Sequence, residues 1–212
     1  MKQRVHALGV WMLLVCFALA ACGAPASSDK QQSESGGETA SPAKEKVKIG
    51  ITQVIEHPAL DAAREGFIKA LKENGFADAD IDYQSAQGDP STVASIAQKF
   101  AADKKDAILA ISTPSAQAMV KATQGTDIPV FFTAITDPLS AKLVDSLEKP
   151  GKNITGYSDT HPETIHKLIQ LIKELKPDAK KVGIIYNSGE ANSVVNVENA
   201  KKALTKNGMQ AV

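Results

Sequence analysis

The segment DAILAISTPSAQAMVKATQGTDIPVFFTAI, residues 106–135, decides the fold class because it places one helix between two buried strands. The runs DAILAIS (106–112) and IPVFFTAI (128–135) are apolar almost without interruption. A strand with one solvent-exposed face would instead alternate apolar and polar residues. The residues between them, from Pro114 to Thr123, are predicted to be helical. Continuous apolar strands joined through a helix indicate a parallel sheet that is covered on both faces.

The residues before this segment repeat the same alternation of strand and helix. KVKIGITQV (46–54) is predicted as a short strand, and residues 58–74 place apolar side chains at helical spacing before an Asn-Gly stop signal. DIDYQSA (80–86) is the next strand, and a helix that opens with an Asp-Pro pair follows it. We therefore predict an α/β fold whose first Rossmann-like lobe spans residues 46–152.

The residues after the opening segment are predicted to cross into a second lobe. NITGYSD (153–159) is the crossing strand, and a helix at about residues 162–175, a strand at 180–187 and a helix that ends at KKALTKNG (201–208) follow it. The predicted fold class is two doubly wound parallel-sheet lobes, with residues 153–212 as the crossover and part of the second lobe.

Two glycine pairs repeat with the same spacing. Gly50 and Gly75 lie 25 positions apart, as do Gly183 and Gly208, and the flanking runs VKIGI…ALKENGF and KVGII…ALTKNGM align in one register. Two interpretations are open. Either two related lobes begin with the same strand–helix unit, or two unrelated units use the same helix-ending chemistry.

The first 45 residues carry a targeting signal. A short basic segment precedes an apolar run that is too short to cross a bilayer, which is typical of a secretory signal peptide over residues 1–21. LAAC (19–22) resembles the lipobox of bacterial lipoproteins, in which Cys22 would carry the lipid; an ordinary signal peptide with an incidental cysteine is the alternative. Residues 22–45 are polar and of low complexity, which predicts a flexible tether. We expect an extracytoplasmic protein anchored to the bacterial cell membrane through Cys22.

Composition and motifs exclude several classes of function. The chain has 212 residues and a formal net charge of +0, so no basic excess indicates a nucleic-acid partner. No G-x-S-x-G, Walker or G-x-G-x-x-G motif is present in the sequence. His161 and His166 are five positions apart, which places them on different faces of a helix and out of metal-binding register. We predict no catalytic residue, no metal site and no cofactor.

Ligands of open parallel sheets bind beyond the carboxyl ends of the strands, so the loops that follow the strands are the candidate site. In the loop STPS, Thr113 is predicted as the helix cap, with Pro114 at the first helical position and the N–H groups of Ser115 and Ala116 free to bind a carboxylate or phosphate. A plain helix cap is the alternative. Asp137 is predicted either to accept hydrogen bonds from an ammonium group or only to initiate the turn before the following proline.

The other candidate residues also have alternative interpretations in which they play only a structural role. His57 is either a ligand contact or a surface loop residue, and the polar residues of the loop EANS either face the ligand or cap the helix that follows. The predicted ligand contacts all lie in these strand-following loops or in the first turns of the helices after them; they are His57, Leu60, Asp61, Thr113, Ser115, Gln117, Thr136, Asp137, Glu190, Asn192 and Ser193.

Five segments occur in a characteristic order: KIGITQVIEHPALDAAREGF, SIAQKFAADKKDAILAISTPSAQAM, IPVFFTAITDPLSAKLV, NITGYSD and VGIIYNSGEANSV. Together they resemble the tryptophan/tyrosine-type substrate-binding lipoproteins of ABC transporters. The resemblance implies a periplasmic-binding-protein fold of type I that clamps an amino-acid ligand, most specifically an aromatic one, between two lobes. It also implies that the HPALD, TPSAQ, TDP and EANS segments line the cleft.

By this resemblance the protein is a solute receptor that delivers its ligand to an ABC permease without chemistry. We expect a monomer whose partners are a small-molecule ligand, the permease and, through the lipid anchor, the membrane. A ligand-sensing lobe of a regulatory protein with the same fold and an uncharacterised surface enzyme are the alternatives. The family has a full second lobe, whereas this sequence stops at Val212, so we expect the second lobe to be incomplete.

Overall fold

The computed structural model describes residues 45–161 and 163–212. The predicted signal peptide, Cys22 and nearly all of the predicted tether lie outside these residues. Within the described ranges, none of the helices combines the length and the apolar character that a bilayer-spanning helix needs. In chain order the elements are β1 (Lys48–Gln53), α1 (Pro58–Glu73), β2 (Asp80–Ser85), α2 (Pro90–Ala102), β3 (Ala107–Ile111), α3 (Thr113–Ala122), β4 (Val130–Ile135), β5 (Ile154–Ser158), α4 (Thr164–Leu175), β6 (Lys181–Val182), α5 (Ala191–Lys206) and β7 (Gln210–Ala211).

Five strands form one sheet in the spatial order β2-β1-β3-β4-β5, and every pairing is parallel. Ile51 of β1, for example, lies opposite Tyr83 on one side and Leu109 on the other. The sheet confirms the parallel arrangement predicted from the apolar strands, and its edge strand β5 is the strand predicted at residues 153–159. The strand order reverses between β1 and β3, because the chain adds β2 on one side of β1 and all later strands on the other.

Helices cover both faces of this sheet. On one face, α1 packs Leu60 and Phe67 against a buried cluster that includes Ile51 and Leu109. On the other face, Phe100 of α2 and Met119 of α3 belong to a second cluster, and both side chains are fully buried. Removal of these side chains from water is the main stabilising contribution to the lobe. The doubly wound arrangement predicted for the first lobe is therefore confirmed.

The repeated Asn-Gly helix endings share one geometry. At the end of α1 the Asn74 side-chain amide donates a hydrogen bond to the Ala70 carbonyl at 2.8 Å, and Asn207 makes the equivalent contact at the end of α5 at 2.9 Å. The glycines that follow, Gly75 and Gly208, have φ angles of 90° and 71°, in the left-handed region that suits glycine. The helix-ending chemistry read from the sequence repeat is thus present in both units.

Residues 163–212 pack around a small apolar cluster of their own, formed by Ile169, Ala203, Leu204 and Met209. The strand predicted at residues 180–187 is present but shorter, because β6 has two residues and pairs only with β7. The Ile184 N–H still donates to the Val212 carbonyl at 3.0 Å, but Ile185 is fully exposed. The prediction was therefore right in position, and within the described residues the strand is shorter than predicted.

An ionic cluster lies at β2, the edge strand of the five-stranded sheet. Asp82 pairs with the ammonium groups of Lys99 and Lys105, the second at 3.0 Å, and Lys99 also contacts Asp103 at 2.8 Å. The Lys105 side chain is only 9% exposed. Partial burial works to raise the pKa of Asp82, but hydrogen bonds from Lys99, Gln84 and Lys105 outweigh it and lower the pKa to about 2.

Candidate functional site

The carboxyl ends of β1 and β3 lie side by side where the strand order reverses, which is the position at which open α/β sheets bind ligands. Gln53, the last residue of β1, lies opposite Ile111, the last residue of β3. The loop after β1 (54–57) and Ser112, which follows β3, therefore belong to the same edge of the sheet. Three of the four loops predicted from the sequence, those after β1, β3 and β4, leave the sheet at this edge.

The start of α3 differs from its prediction by one residue. Ser112, not Thr113, is the cap, and it makes no side-chain cap hydrogen bond; Thr113 is already helical, so Pro114 occupies the second helical position. The Ala116 N–H is not free either, because it donates to the Ser112 carbonyl at 3.0 Å. Ser112 has φ 84° and ψ 156°, a backbone region that glycine occupies almost alone. Such strain is concentrated at functional sites, where the surrounding structure imposes it.

Two serine hydroxyls at this helix start are buried and have no hydrogen-bond partner among the described residues. They belong to Ser112 and Ser115. Ser115 is 0% exposed and Thr113 is 2% exposed. A buried hydroxyl without a partner costs roughly 1–3 kcal/mol, and the amino-terminal end of a helix favours negative charge. The start of α3 is therefore suited to an oxyanion that accepts hydrogen bonds from these hydroxyls.

The predicted contacts that follow β1 occupy different environments. His57 is the exposed cap of α1, and its Nδ1 accepts a hydrogen bond from a backbone N–H of the first turn at 3.2 Å. Leu60 is half-buried against the core. The Asp61 carboxylate is bound within the protein: its Oδ1 accepts from the Gln53 side-chain amide at 2.9 Å and lies 3.0 Å from Arg64 Nη1. Gln53 and Arg64 are not among the contacts predicted from the sequence, because nothing in the residues around them sets them apart.

The predicted contacts that follow β4 hold their own loop together. Asp137 accepts hydrogen bonds from the Leu139 and Ser140 N–H groups at 3.0 and 3.1 Å and from the Ser140 hydroxyl at 2.6 Å. Partial burial would raise the pKa of Asp137, but these bonds outweigh it and hold the pKa below its usual range. This favours the turn-initiator interpretation of Asp137. The Thr136 carbonyl accepts from the Ser158 hydroxyl at 3.1 Å, which ties this loop to β5.

The ligand contacts predicted in the second lobe lie together at the start of α5. Glu190 caps this helix with its backbone, and its carboxylate accepts from the side-chain amides of Asn187 at 2.9 Å and Asn192 at 3.3 Å. The Asn192 side-chain oxygen is buried and has no hydrogen-bond partner in the described part of the chain. Ser193 is half-buried in the first helical turn. Like Ser112 and Ser115, Asn192 thus presents a polar atom with unused hydrogen-bonding capacity.

A cleft of about 530 Å³ lies where the chain passes from the first sheet to α4 and α5, and its walls include Thr136, His161, His166 and Lys202. Of the predicted ligand contacts, all of which lie in described residues, Thr136 is the one that lines it. Gln117 of α3 is exposed, and its side-chain amide donates to the Ala141 carbonyl at 3.1 Å. The fold therefore brings the residues that follow β1 and β3 to one edge of the sheet, and Gln117 contacts the loop that follows β4.

Comparison with known proteins yields relatives over this whole region. The family model for ABC transporter substrate binding proteins matches residues 48–212. The tyrosine-binding protein of Clostridioides difficile (strain R20291) is 48% identical over 208 residues, which are 97% of this chain and 56% of the relative. The chain thus spans little more than half the length of this relative.

Solved structures agree with the sequence comparison. The ABC domain from Streptococcus pneumonia in complex with L-Trp is 39% identical with a TM-score of 0.73, and a conserved domain protein from Vibrio cholerae is 44% identical with a TM-score of 0.74. Each covers 79% of this chain, and the match covers 56% of either structure. A leucine-binding protein from Thermotoga maritima, at 15% identity and a TM-score of 0.56, shares the fold alone. These neighbours confirm the predicted fold of type I periplasmic-binding proteins.

The family model extends from the first strand of the sheet to the last residue of the sequence, and the curated relative is matched over 97% of this chain. The match also agrees with the resemblance that the ordered sequence segments indicate. This chain belongs to the family of ABC transporter substrate-binding proteins.

Proposed function

We propose that this protein is an extracytoplasmic receptor that binds an aromatic amino acid between two lobes and delivers it to an ABC permease. The observation that carries the proposal is the pair of buried hydroxyls without partners at the start of α3, on Ser112 and Ser115. A carboxylate placed there would accept hydrogen bonds from both hydroxyls and would lie at the positive end of the helix. Of the contacts predicted from the sequence, Ser115 carries one of these two hydroxyls, and Thr113 lies between Ser112 and Ser115 in the chain.

The aromatic character of the ligand is supported by two relatives. The Clostridioides difficile relative is named a tyrosine-binding protein, and the Streptococcus pneumonia domain was solved with L-Trp. Both ligands combine a carboxylate with a large ring, and enclosing such a ring between lobes would contribute through burial of apolar surface. Because the chain spans 56% of these relatives, the complete two-lobed site is part of the proposal. Closure of the lobes would form the state that the permease recognises.

The ligand can be tested through its own fluorescence. The single tryptophan of the sequence, Trp11, lies in the predicted signal peptide, so residues 22–212 contain no indole. Added tryptophan that binds between the lobes should therefore show blue-shifted emission, against a background set only by any indole outside residues 22–212. Tyrosine should displace it and leucine should not. The absence of any shift at millimolar tryptophan, confirmed by calorimetry, would show that the ligand is not aromatic.

The carboxylate site is tested by removing one hydroxyl at a time. Ser112→Ala and Ser115→Ala should each weaken tryptophan binding about tenfold to hundredfold, because a hydrogen bond to a charged group is worth roughly 1.5–3 kcal/mol. Ser95→Ala is the matched control, since Ser95 is exposed on α2 and bonds only to the Ser91 carbonyl. Equal dissociation constants for all three variants and the unsubstituted protein would show that the ligand carboxylate does not bind at the start of α3.

We also propose that Cys22 carries a lipid that anchors the protein at the outer side of the cell membrane. The sequence LAAC at the end of the predicted signal peptide supports this proposal. Cys22→Ser should move the protein from the membrane fraction to the soluble exported fraction. Cys16→Ser, which changes the other cysteine within the predicted signal peptide, should leave it in the membrane fraction. A Cys22→Ser variant that resists a carbonate wash would contradict the lipid anchor.

A further inference from the structure

Gln53 is a fully buried amide at the carboxyl end of β1, beside the proposed carboxylate site. Its Nε2 donates one hydrogen bond to the Ile55 carbonyl at 2.8 Å and a second to Asp61 Oδ1 at 2.9 Å. Its Oε1 accepts from Arg64 Nη1 at 3.2 Å. Both N–H groups and the carbonyl of this amide are thus engaged, which fixes its orientation.

The three side chains form a closed ring. Arg64 Nη1, which donates to Gln53, also lies 3.0 Å from Asp61 Oδ1, and Asp61 and Arg64 are one turn apart on α1. The guanidinium group further covers the Tyr83 ring, with 4.1 Å between its central carbon and the ring centroid. Asp61 and Arg64 keep only 30% and 17% of their side-chain exposure. We name Gln53, Asp61 and Arg64 the β1 ring.

The β1 ring is attached to the loop that borders the site. The loop after β1 (54–57) is held at the Ile55 carbonyl by Gln53, and at the Val54 carbonyl by the Gly88 N–H at 2.7 Å. The first of these two ties depends on the orientation of the Gln53 amide, which Asp61 and Arg64 set. Loss of the Asp61 carboxylate would leave a buried N–H without an acceptor, and the amide would have to turn or the loop to shift.

We propose that the β1 ring is a positioning device, in which Asp61 acts through Gln53 to hold the loop 54–57 in the conformation that receives the ligand, and does not itself touch the ligand. The inference rests on the proposed function, since it assigns a role within the same site. It replaces the direct ligand contact that the sequence predicts for Asp61. It also gives Gln53 and Arg64 a role that neither residue's local sequence pattern indicates.

The test compares three variants on one helix. Asp61→Ala removes both contacts of the carboxylate, and Asp61→Asn keeps an oxygen acceptor for Gln53 but loses the charge that pairs with Arg64. Glu65→Ala is the matched control, because Glu65 is an exposed acidic residue of α1 and its loss changes the net charge equally. Two quantities are measured: the tryptophan dissociation constant by calorimetry, and amide hydrogen exchange of residues 54–57 without ligand. Thermal melts confirm that each variant is folded.

Asp61→Ala should bind tryptophan about tenfold more weakly and exchange the loop amides about tenfold faster, with Asp61→Asn intermediate and Glu65→Ala unchanged in both. Weaker binding without faster exchange would overturn the proposal in favour of direct contact by Asp61. Unchanged binding in a folded Asp61→Ala variant would overturn it as well. If the unsubstituted protein binds neither tryptophan nor tyrosine, the proposed function fails, and the exchange measurement alone still decides whether the ring holds the loop.

Discussion

Replacing Asp82 by asparagine should remove the charge that keeps two lysines at the edge strand β2. Lys105 depends on it most, because its side chain is 9% exposed and its ammonium lies 3.0 Å from Asp82 Oδ2 but 3.7 Å from Asp103. An amide oxygen in place of the carboxylate leaves this nearly buried cation with a weaker partner. The variant should therefore be less stable at neutral pH.

The size of the effect follows from the pKa of Asp82, which lies at about 2 against an ordinary 3.8. A difference of this size corresponds to at most about 2.4 kcal/mol, at 1.36 kcal/mol for each pKa unit. The carboxylate is 22% exposed and Lys99 is about half exposed, so solvent screening lowers the expected loss to about 1–2 kcal/mol. Because the folded-state pKa is depressed, this stabilisation is fully present above pH 4 and is lost as the pH falls towards 2.

Urea unfolding of the wild-type and Asp82→Asn proteins at several pH values measures both parts of this prediction. The difference in free energy of unfolding should be about 1–2 kcal/mol at pH 7 and should shrink between pH 4 and pH 2. Asp80→Asn, at an exposed position of the same strand, should behave like the wild type. Equal stability of wild type and Asp82→Asn at pH 7, or a difference that persists at pH 2, would refute the role assigned to the ionic cluster.

Three further changes test the packing of the first sheet by chemical denaturation. Gly156→Ala should destabilise the protein by about 1–3 kcal/mol, because an added Cβ would overlap the Phe132 carbonyl oxygen of the neighbouring strand; a neutral result would show that β5 can shift. Gly66→Ala should instead stabilise it by about 0.5–1 kcal/mol, because the added methyl group on α1 meets nothing within 4 Å; destabilisation here would contradict an open helical site. Phe100→Ala should cost about 3–5 kcal/mol because the ring is fully buried, and a loss below 1 kcal/mol would mean that the core collapses around the gap.

The order of strands and helices could be predicted most clearly where a strand is buried on both faces, as β3 is. The runs at 106–112 and 128–135 became β3 and β4, and α1 begins at Pro58, as its spacing of apolar residues predicts. The run at 180–187 shows the limit of such patterns. It contains Val182, Ile184 and Ile185 but also two lysines and a glycine, and in the described residues β6 pairs with β7 at two positions only. A strand extends only as far as a neighbouring strand pairs with it.

The details of the candidate site depend on contacts between residues that are distant in sequence. Proline usually occupies the first helical position, which predicts Thr113 as the cap of α3; the left-handed conformation of Ser112 moves the helix start one residue earlier. That conformation accompanies a hydrogen bond from the Ser112 N–H to Thr133 in the neighbouring strand. Likewise, the engagement of Asp61 depends on the burial of Gln53 by the sheet, which no local pattern reveals.

The spatial order of the strands has a consequence for how the sheet assembles while the chain is being delivered from its amino terminus. The first strand made, β1, is flanked by β2 and β3, and β4 and β5 then extend the β3 side. Every strand therefore joins an edge that already exists, and none has to be inserted between two strands that are already paired. Pairing of parallel strands is a slow folding step because its contacts are distant in sequence. With this order of strands, the strand with which each new strand pairs has already been synthesised, so no pairing has to be delayed.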